Sequence, residues 1–273
     1  MPILTLSTDI GQRDFIVGAI KGQFLQVLPD LVTADITHQL SQTNLPLAAY
    51  TCGQAIPYFP VGSYHLILVN FFENRYDHVL LAAWKGQYLI CADNGLLTMI
   101  TGEKPAHVVK VPVSAQAPLL TVTADIAAAV YKLESMGDIK ALGPLASDLV
   151  EKYPLRPTVG PDWIEGQILF IDNFENVVVN ITQQEFDETA KGRSFRIMFR
   201  RDETIDRLSV NYSDVPTNDK MAWFNSAGYL ELALRNGNMA GLFGLQGYNE
   251  QMQQNHPQLG NKLFYQTIRV FFD

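Results

Sequence analysis

Cysteine is nearly missing from this chain of 273 residues: there are two, Cys52 and Cys91, far apart and without the short spacings of a metal site. A disulfide framework is thereby excluded as the organising device, and each thiol reads as a small buried hydrophobe. Positive charge is scarce as well, with 20 Lys and Arg against 28 Asp and Glu, a formal charge of −8 and a pI near 5.1. No basic stripe offsets that sign, which argues against nucleic acid or an anionic membrane as a partner and favours a cationic ligand. Nor does any uninterrupted apolar stretch reach the roughly 18 residues of a membrane span. No cationic segment precedes the first apolar run, which meets Asp9 too early for a signal peptide, so the cytoplasm is the expected compartment. The histidines, His38, His65, His78, His107 and His256, show no ligand spacing, and no metal is expected.

With 47% hydrophobic and 18% charged residues, the chain has room for two domains, each with its own core. Its first half alternates strand and helix patterns, the mark of an α/β domain with a largely parallel sheet. Strands are expected at residues 2–7, 31–36 and 64–69, with a hairpin of 79–84 and 87–92 around Lys85-Gly86. Helices are expected from Asp14, over 44–56 with Pro46 in the first turn, and over 125–135. Prolines at 144, 154, 157 and 161 then break the pattern, which suggests a linker. Short strands follow at 166–172, 177–181, 194–200, 207–212, 229–234 and 263–272, as in an all-β barrel or sandwich. The division expected is residues 1–155 and 156–273.

Three clusters could carry chemistry. The first strand runs into Thr8-Asp9-Ile10-Gly11, with Asp14 five residues beyond Asp9. A carboxylate at the carboxyl end of a first strand lies where open α/β sheets bind ligands, and two acids there suit a ribose diol and an ammonium group. The same two residues serve equally well as a turn former and an N-cap. In the second cluster, Asp172-Asn173-Phe174-Glu175-Asn176, an aromatic ring stands between a carboxylate and a carboxamide. That is a stacking face with donors and acceptors for a purine edge, and it is also an ordinary hairpin turn. The third is Asn225-Ser226-Ala227-Gly228-Tyr229-Leu230-Glu231 followed by Arg235-Asn236-Gly237-Asn238, small polar groups around glycine turns that suit a carboxylate or an amino-acid tail.

Together with Asp35-Ile36-Thr37-His38, Tyr58-Phe59-Pro60-x-Gly62, Ala92-Asp93-Asn94-Gly95-Leu96-Leu97 and Leu142-Gly143-Pro144 through Asp148-Leu149-Val150, these clusters stand in the order of one family. The chain resembles the S-adenosyl-L-methionine (SAM) hydroxide adenosyltransferases, or SAM hydrolases, relatives of fluorinase and chlorinase. The resemblance spans nearly the whole length. It implies an amino-terminal α/β domain, a carboxyl-terminal β-barrel-like domain and a homotrimer, each site lying between the first domain of one subunit and the second of its neighbour. It also implies that Asp9 binds the ribose hydroxyls and Asp14 the ammonium of the methionine part. Asp172, Phe174 and Asn176 would hold adenine and the ammonium end, Ser226 would lie near the carboxylate with Asn225 also among the substrate-binding residues, Arg235 and Asn236 would fall near the adenine edge, and Tyr212 would be an aromatic wall. No cofactor or metal is implied beyond the sulfonium nucleoside itself.

The water-handling half of the family pattern is altered. Where the hydrolases have Asp-Pro-Gly-Val-Gly and then Arg, this chain reads Asn70-Phe71-Phe72-Glu73-Asn74-Arg75; where they have His-Gly-x-Asp, it reads Val122-Thr123-Ala124-Asp125. Two readings follow. A slow hydrolase would hold its water with Asn70, Arg75 and Thr123, since losing one positioning group costs on the order of 10²- to 10⁴-fold. A binding protein would retain SAM or adenosine without cleaving it. A halogenase, with Phe71 and Phe72 as a dry halide pocket, is the least supported.

Overall fold

A strand that needs covering on both faces organises the first half of the chain. The computed structural model describes residues 1–72, 77–114, 117–248 and 265–273, and in it β1 (Ile3–Thr8) is buried from Leu4 onward. The described residues form two compact units, Met1–Pro154 and Leu155–Asp273.

In the first unit α1 (Ile16–Val27) follows β1, then β2 (Val32–Thr37), α2 (Leu45–Ala55), β3 (Tyr64–Leu68), β4 (His78–Trp84), β5 (Gln87–Cys91), α3 (Leu96–Thr101), β6 (His107–Pro112) and α4 (Leu119–Met136). The sheet order is β2-β1-β3-β5-β4-β6. Pairs β1–β2, β1–β3 and β3–β5 are parallel, and β4 runs antiparallel to both its neighbours. One face packs Leu4, Leu6, Leu66 and Leu68 against Ile20 and Phe24 of α1 and Ile126 and Val130 of α4. The other packs Ile67, Val69 and Cys91 against Ala48 and Cys52 of α2 and Leu96 of α3. Helices α1 and α2 thus cover opposite faces, and the chain reverses its winding between β1 and β3. Such a switch point opens a crevice at the carboxyl ends of the two strands.

Local chemistry explains the boundaries. Asn44 caps α2, its side chain accepting the Leu47 N–H at 3.1 Å, with Pro46 in the first turn. The β4–β5 hairpin turns on Lys85 and Gly86, both at positive φ, as a two-residue turn of this hand requires. Helix α4 begins at Leu119, six residues before the expected start. Thr121, Val122 and Thr123 are β-branched and read as extended, but packing against α1 outweighs that weak preference. The stretch expected to be a linker is strapped to the first unit as far as Lys152: Val150 N–H donates to Asp93 Oδ1 at 2.8 Å and Lys152 N–H to Thr98 Oγ1 at 2.9 Å.

The second unit contains β7 (Thr158–Val159), β8 (Trp163–Ile171), β9 (Val177–Thr182), α5 (Gln183–Ala190), β10 (Phe195–Arg200), β11 (Glu203–Ile205), β12 (Lys220–Phe224), β13 (Tyr229–Leu234), α6 (Met239–Phe243) and β14 (Thr267–Phe272). Its antiparallel sheet runs β11-β10-β14-β8-β9-β13-β12, with β7 added to β8. Lys220 of β12 pairs with Glu203 of β11, so the end strands approach one another and the sheet is nearly a barrel. Phe186 of α5 enters its core edge-to-face with Phe195, Phe224 and Phe272. The strand expected at 207–212 is instead a turn, because Asp214 Oδ2 captures the N–H groups of Val210 and Asn211, each at 2.8 Å. The expected closing strand begins at Thr267; residues 263 and 264 lie outside the described residues.

Candidate functional site

Each unit carries its own cavity. The first, about 510 Å³, opens at the switch point and is lined by Asp9, Ile10, Gln42, Leu68, Asn70, Phe71, Phe72 and Leu119. Asp9 leaves β1 and Asn70 follows β3, so the crossover brings their backbones together: the Asn70 N–H donates to Asp9 Oδ2 at 2.8 Å. Asn70 holds a positive φ of 50°. Its carbonyl neighbour is fixed by Asn94, whose Nδ2 donates to the Val69 carbonyl at 3.0 Å while its Oδ1 accepts the Leu96 N–H. That clamp requires glycine at 95, where φ is 94° and a Cβ would meet the Lys152 side chain at 2.5 Å. Burial raises the Asp9 carboxyl above its ordinary pKa, an effect the Asn70 N–H opposes. The remaining walls are mostly apolar, with Phe71 and Phe72 in edge-to-face contact at 5.2 Å.

Of the other residues assigned to this half, Asp14 stands exposed ahead of α1, where its Oδ1 accepts the Ile16 N–H at 3.0 Å. It does not line the cavity. Thr123 is fully buried, its hydroxyl donating to Gln23 Oε1 at 2.6 Å and reaching its own helix's Leu119 carbonyl at 3.1 Å. Val122 packs in the core beside Ile126. Arg75 lies outside the described residues.

The second cavity, about 740 Å³, is lined by Asp172, Phe174, Asn176, Tyr212, Trp223, Asn225, Ser226, Glu231, Asn236 and Gly237. Three turns converge to make it. In the β8–β9 turn, Asp172 Oδ1 accepts the N–H groups of Phe174 and Asn176, both at 2.8 Å, and Glu175 takes a φ of 64°. The aspartate thus ties the turn that thrusts Phe174, 75% exposed, outward. In the β12–β13 turn, Asn225 Oδ1 accepts from Ala227 and Tyr229, and Gly228 supplies a φ of 74°. In the turn after β13, the Tyr212 hydroxyl donates to the Leu234 carbonyl at 3.1 Å and accepts the Asn236 N–H at 3.0 Å. Tyr212 also meets Trp223 edge-to-face.

Arg235 is the assigned residue this cavity leaves out. Its guanidinium is spent on the carbonyls of Ser213 and Val215, where it braces the loop that carries Tyr212. Two lining side chains received no role from the motifs. Trp223 and Glu231 pair directly across β12 and β13. A carboxylate between Leu230 and Leu232 on an apolar strand was the available signal, since such a group faces either water or a site. Burial raises the Glu231 carboxyl above its usual range, the nearby Asp172 charge adds to this, and hydrogen bonds from Asn225 and Asn176 oppose it. Among the described residues, no group of three or more His, Cys, Asp or Glu side chains is placed to hold a metal ion. Among the same residues, no helix is long and apolar enough to cross a membrane.

The sequence matches the profile of the SAM hydroxide adenosyltransferase N-terminal domain over residues 4–143 and that of the C-terminal domain over residues 166–251. A Methanocaldococcus jannaschii protein named (R)-S-adenosyl-L-methionine hydrolase is 27% identical over 190 residues, 68% of this chain and 69% of its own. A Thermus thermophilus protein of the same name is 25% identical over 258 residues, 89% of this chain and 96% of its own. Among solved structures, an uncharacterized conserved protein from Thermotoga maritima superposes with a TM-score of 0.77 at 20% identity, covering 99% of this chain and 100% of that one. A conserved hypothetical protein from Thermus thermophilus superposes with a TM-score of 0.70 at 23% identity, covering 100% of both chains. At these identities the superpositions speak for the fold alone.

Proposed function

Because the chain belongs to the SAM hydroxide adenosyltransferase family, matched in both of its domains, we propose that it binds SAM and hydrolyses it slowly to adenosine and L-methionine. Water or hydroxide attacks the ribose C5′, the C5′–S bond breaks, methionine departs as a neutral thioether, and any surplus proton passes to solvent. A sulfonium is already an activated leaving group, so the protein's task is to align the partners and exclude competing water. In this reading Asp9 takes the ribose diol and Asp14 the ammonium of the methionine part. Asp172, Phe174 and Asn176 hold the adenine and ammonium ends, with Ser226 toward the carboxylate. The two cavities are halves of one site, joined when subunits assemble as a homotrimer.

Convergence carries this reading: Asp172, Phe174, Asn176, Tyr212, Asn225, Ser226 and Asn236, drawn from separate motifs, line one cavity. The test is incubation of the purified protein with SAM and chromatography for adenosine and methionine, which are expected in equal amounts. SAM binding with no adenosine formed at high protein concentration overturns the hydrolase and leaves the second reading, a SAM- or adenosine-binding protein. That alternative draws on Asn70 replacing the family's carboxylate, and on Val122 and Thr123 being committed to the core. Absence of binding to either compound overturns both.

A further inference from the structure

The Asp35-Ile36-Thr37-His38 motif closes β2 and lines neither cavity. Its histidine is 1% exposed, yet each ring nitrogen has a polar neighbour: Nε2 lies 3.1 Å from Asp35 Oδ1, and Nδ1 lies 2.9 Å from Thr8 Oγ1. Asp35 is in turn paired with Lys21 Nζ at 2.6 Å. Although burial would raise the Asp35 carboxyl, Lys21 and His38 hold it below its ordinary pKa, so it faces Nε2 as an ionised acceptor. The ring proton therefore belongs on Nε2, and Nδ1 accepts from the Thr8 hydroxyl. With its hydrogen turned to His38, that hydroxyl presents its oxygen to the Ile10 N–H, which donates to Thr8 Oγ1 at 3.3 Å. Asp9 is the residue between Thr8 and Ile10. The backbone repeats the tie, since the Gly11 N–H donates to the His38 carbonyl at 2.7 Å and the Leu40 N–H to the Thr8 carbonyl at 3.1 Å.

We propose that His38 is a positioning residue for the ligand's sugar: through the Thr8 hydroxyl it fixes the turn that aims the Asp9 carboxylate, while Asp35 and Lys21 fix His38. The proposal rests on the reading that Asp9 takes the ribose diol. Two hydroxyls bond to one carboxylate only when its plane is set, so a small rotation of this turn costs the diol contact and leaves the nucleoside's other contacts as they were.

The test is calorimetric titration of the full-length protein and its His38→Leu variant with adenosine and with 2′,3′-dideoxyadenosine, which lacks both ribose hydroxyls. Wild type is expected to bind adenosine about a hundredfold more tightly than the dideoxy compound. H38L is expected to bring the two within about tenfold, with dideoxyadenosine bound about as well as by wild type. A merely structural role would weaken both nucleosides together, so an unchanged ratio in a folded H38L overturns the proposal while the ribose reading stands. Should H38L fail to fold, Thr8→Val decides, because it keeps the shape of threonine and removes only the hydroxyl: a collapsed ratio supports the proposal and an unchanged one overturns it. Wild type that binds neither nucleoside, or both equally, overturns the ribose reading itself, and the proposal falls with it.

Discussion

Half-buried at the end of β1, Asp9 is a residue whose charge works against the unliganded fold. Its folded carboxyl has a raised pKa, so it holds a proton more readily than the unfolded one. Ionisation therefore costs stability at pH values above the folded pKa, and that cost disappears as pH falls through it. Replacing the carboxylate by an amide should separate stability from binding. Asp9→Asn is expected to raise the thermal midpoint at pH 7, while adenosine affinity falls by about a hundredfold through loss of two charge-assisted bonds to the ribose diol. Thermal melts and titrations on the same preparations check both; adenosine bound as tightly as by wild type would refute the ribose assignment. His65 presents the opposite case. Fully buried, with Nδ1 2.8 Å from Thr5 Oγ1, it has its pKa lowered by burial to about 4. The folded state refuses the proton that the unfolded state accepts near pH 6.5, so the contribution is intact above that pH and is lost as pH falls toward 4. Between about pH 7 and pH 5 this amounts to about 2 kcal/mol. Denaturant titrations at the two pH values should show a correspondingly smaller loss in His65→Gln than in wild type.

At the scale of elements, α5 depends on its first turn. Thr182 and Glu185 form a reciprocal capping box, Thr182 Oγ1 accepting the Glu185 N–H at 3.2 Å and Glu185 Oε2 accepting the Thr182 N–H at 2.9 Å. Thr182→Ala should destabilise the second unit by about 1 kcal/mol, read as a lower denaturant midpoint at unchanged slope; no shift would mean that Phe186 packing alone secures the helix. The Thr-x-x-Glu signal is plain in the sequence, yet α5 was not expected there, since it is only two turns long and lies between strands. The parallel strands β1 and β3 were legible because both of their faces need covering, which leaves continuous apolar runs. The start of α4 was not, because Thr121 to Thr123 favour extended backbone until α1 is packed beside them. Binding residues followed the same division. Asp9 and the 172–176 turn stand at strand ends marked by turn chemistry, whereas the direction in which Glu231 points depends on which face of β13 the barrel turns inward. The alternation of Leu230, Leu232 and Leu234 shows only that Glu231 leaves the core face, not that a cavity lies on the other side.

For the molecule as a whole, the proposed assembly of the two cavities into one site across a subunit boundary makes its own prediction. Were both halves of a site drawn from one chain, a variant damaged in either half would have no intact site whatever it was mixed with. In the proposed trimer, a subunit's first unit works with its neighbour's second unit, so damage in one half is complemented by a partner damaged in the other. Asp9→Ala and Asn176→Ala, each expressed alone, should bind no adenosine. Co-expressed with different affinity tags and purified through both, they should recover binding in about one third of the sites, because every mixed trimer, whether two to one or one to two, has one intact site among its three. Sedimentation should report a trimer in the same sample. No recovery in a verified mixed oligomer would place each site within a single chain, and a monomer by sedimentation would refute the assembly outright. Asp9 and Asn176 suit the experiment because the hydrogen bonds that hold each one lie within its own unit. Asp9 is held by Asn70, and Asn176 by Asp172 and Glu231, so either substitution should leave the opposite cavity intact.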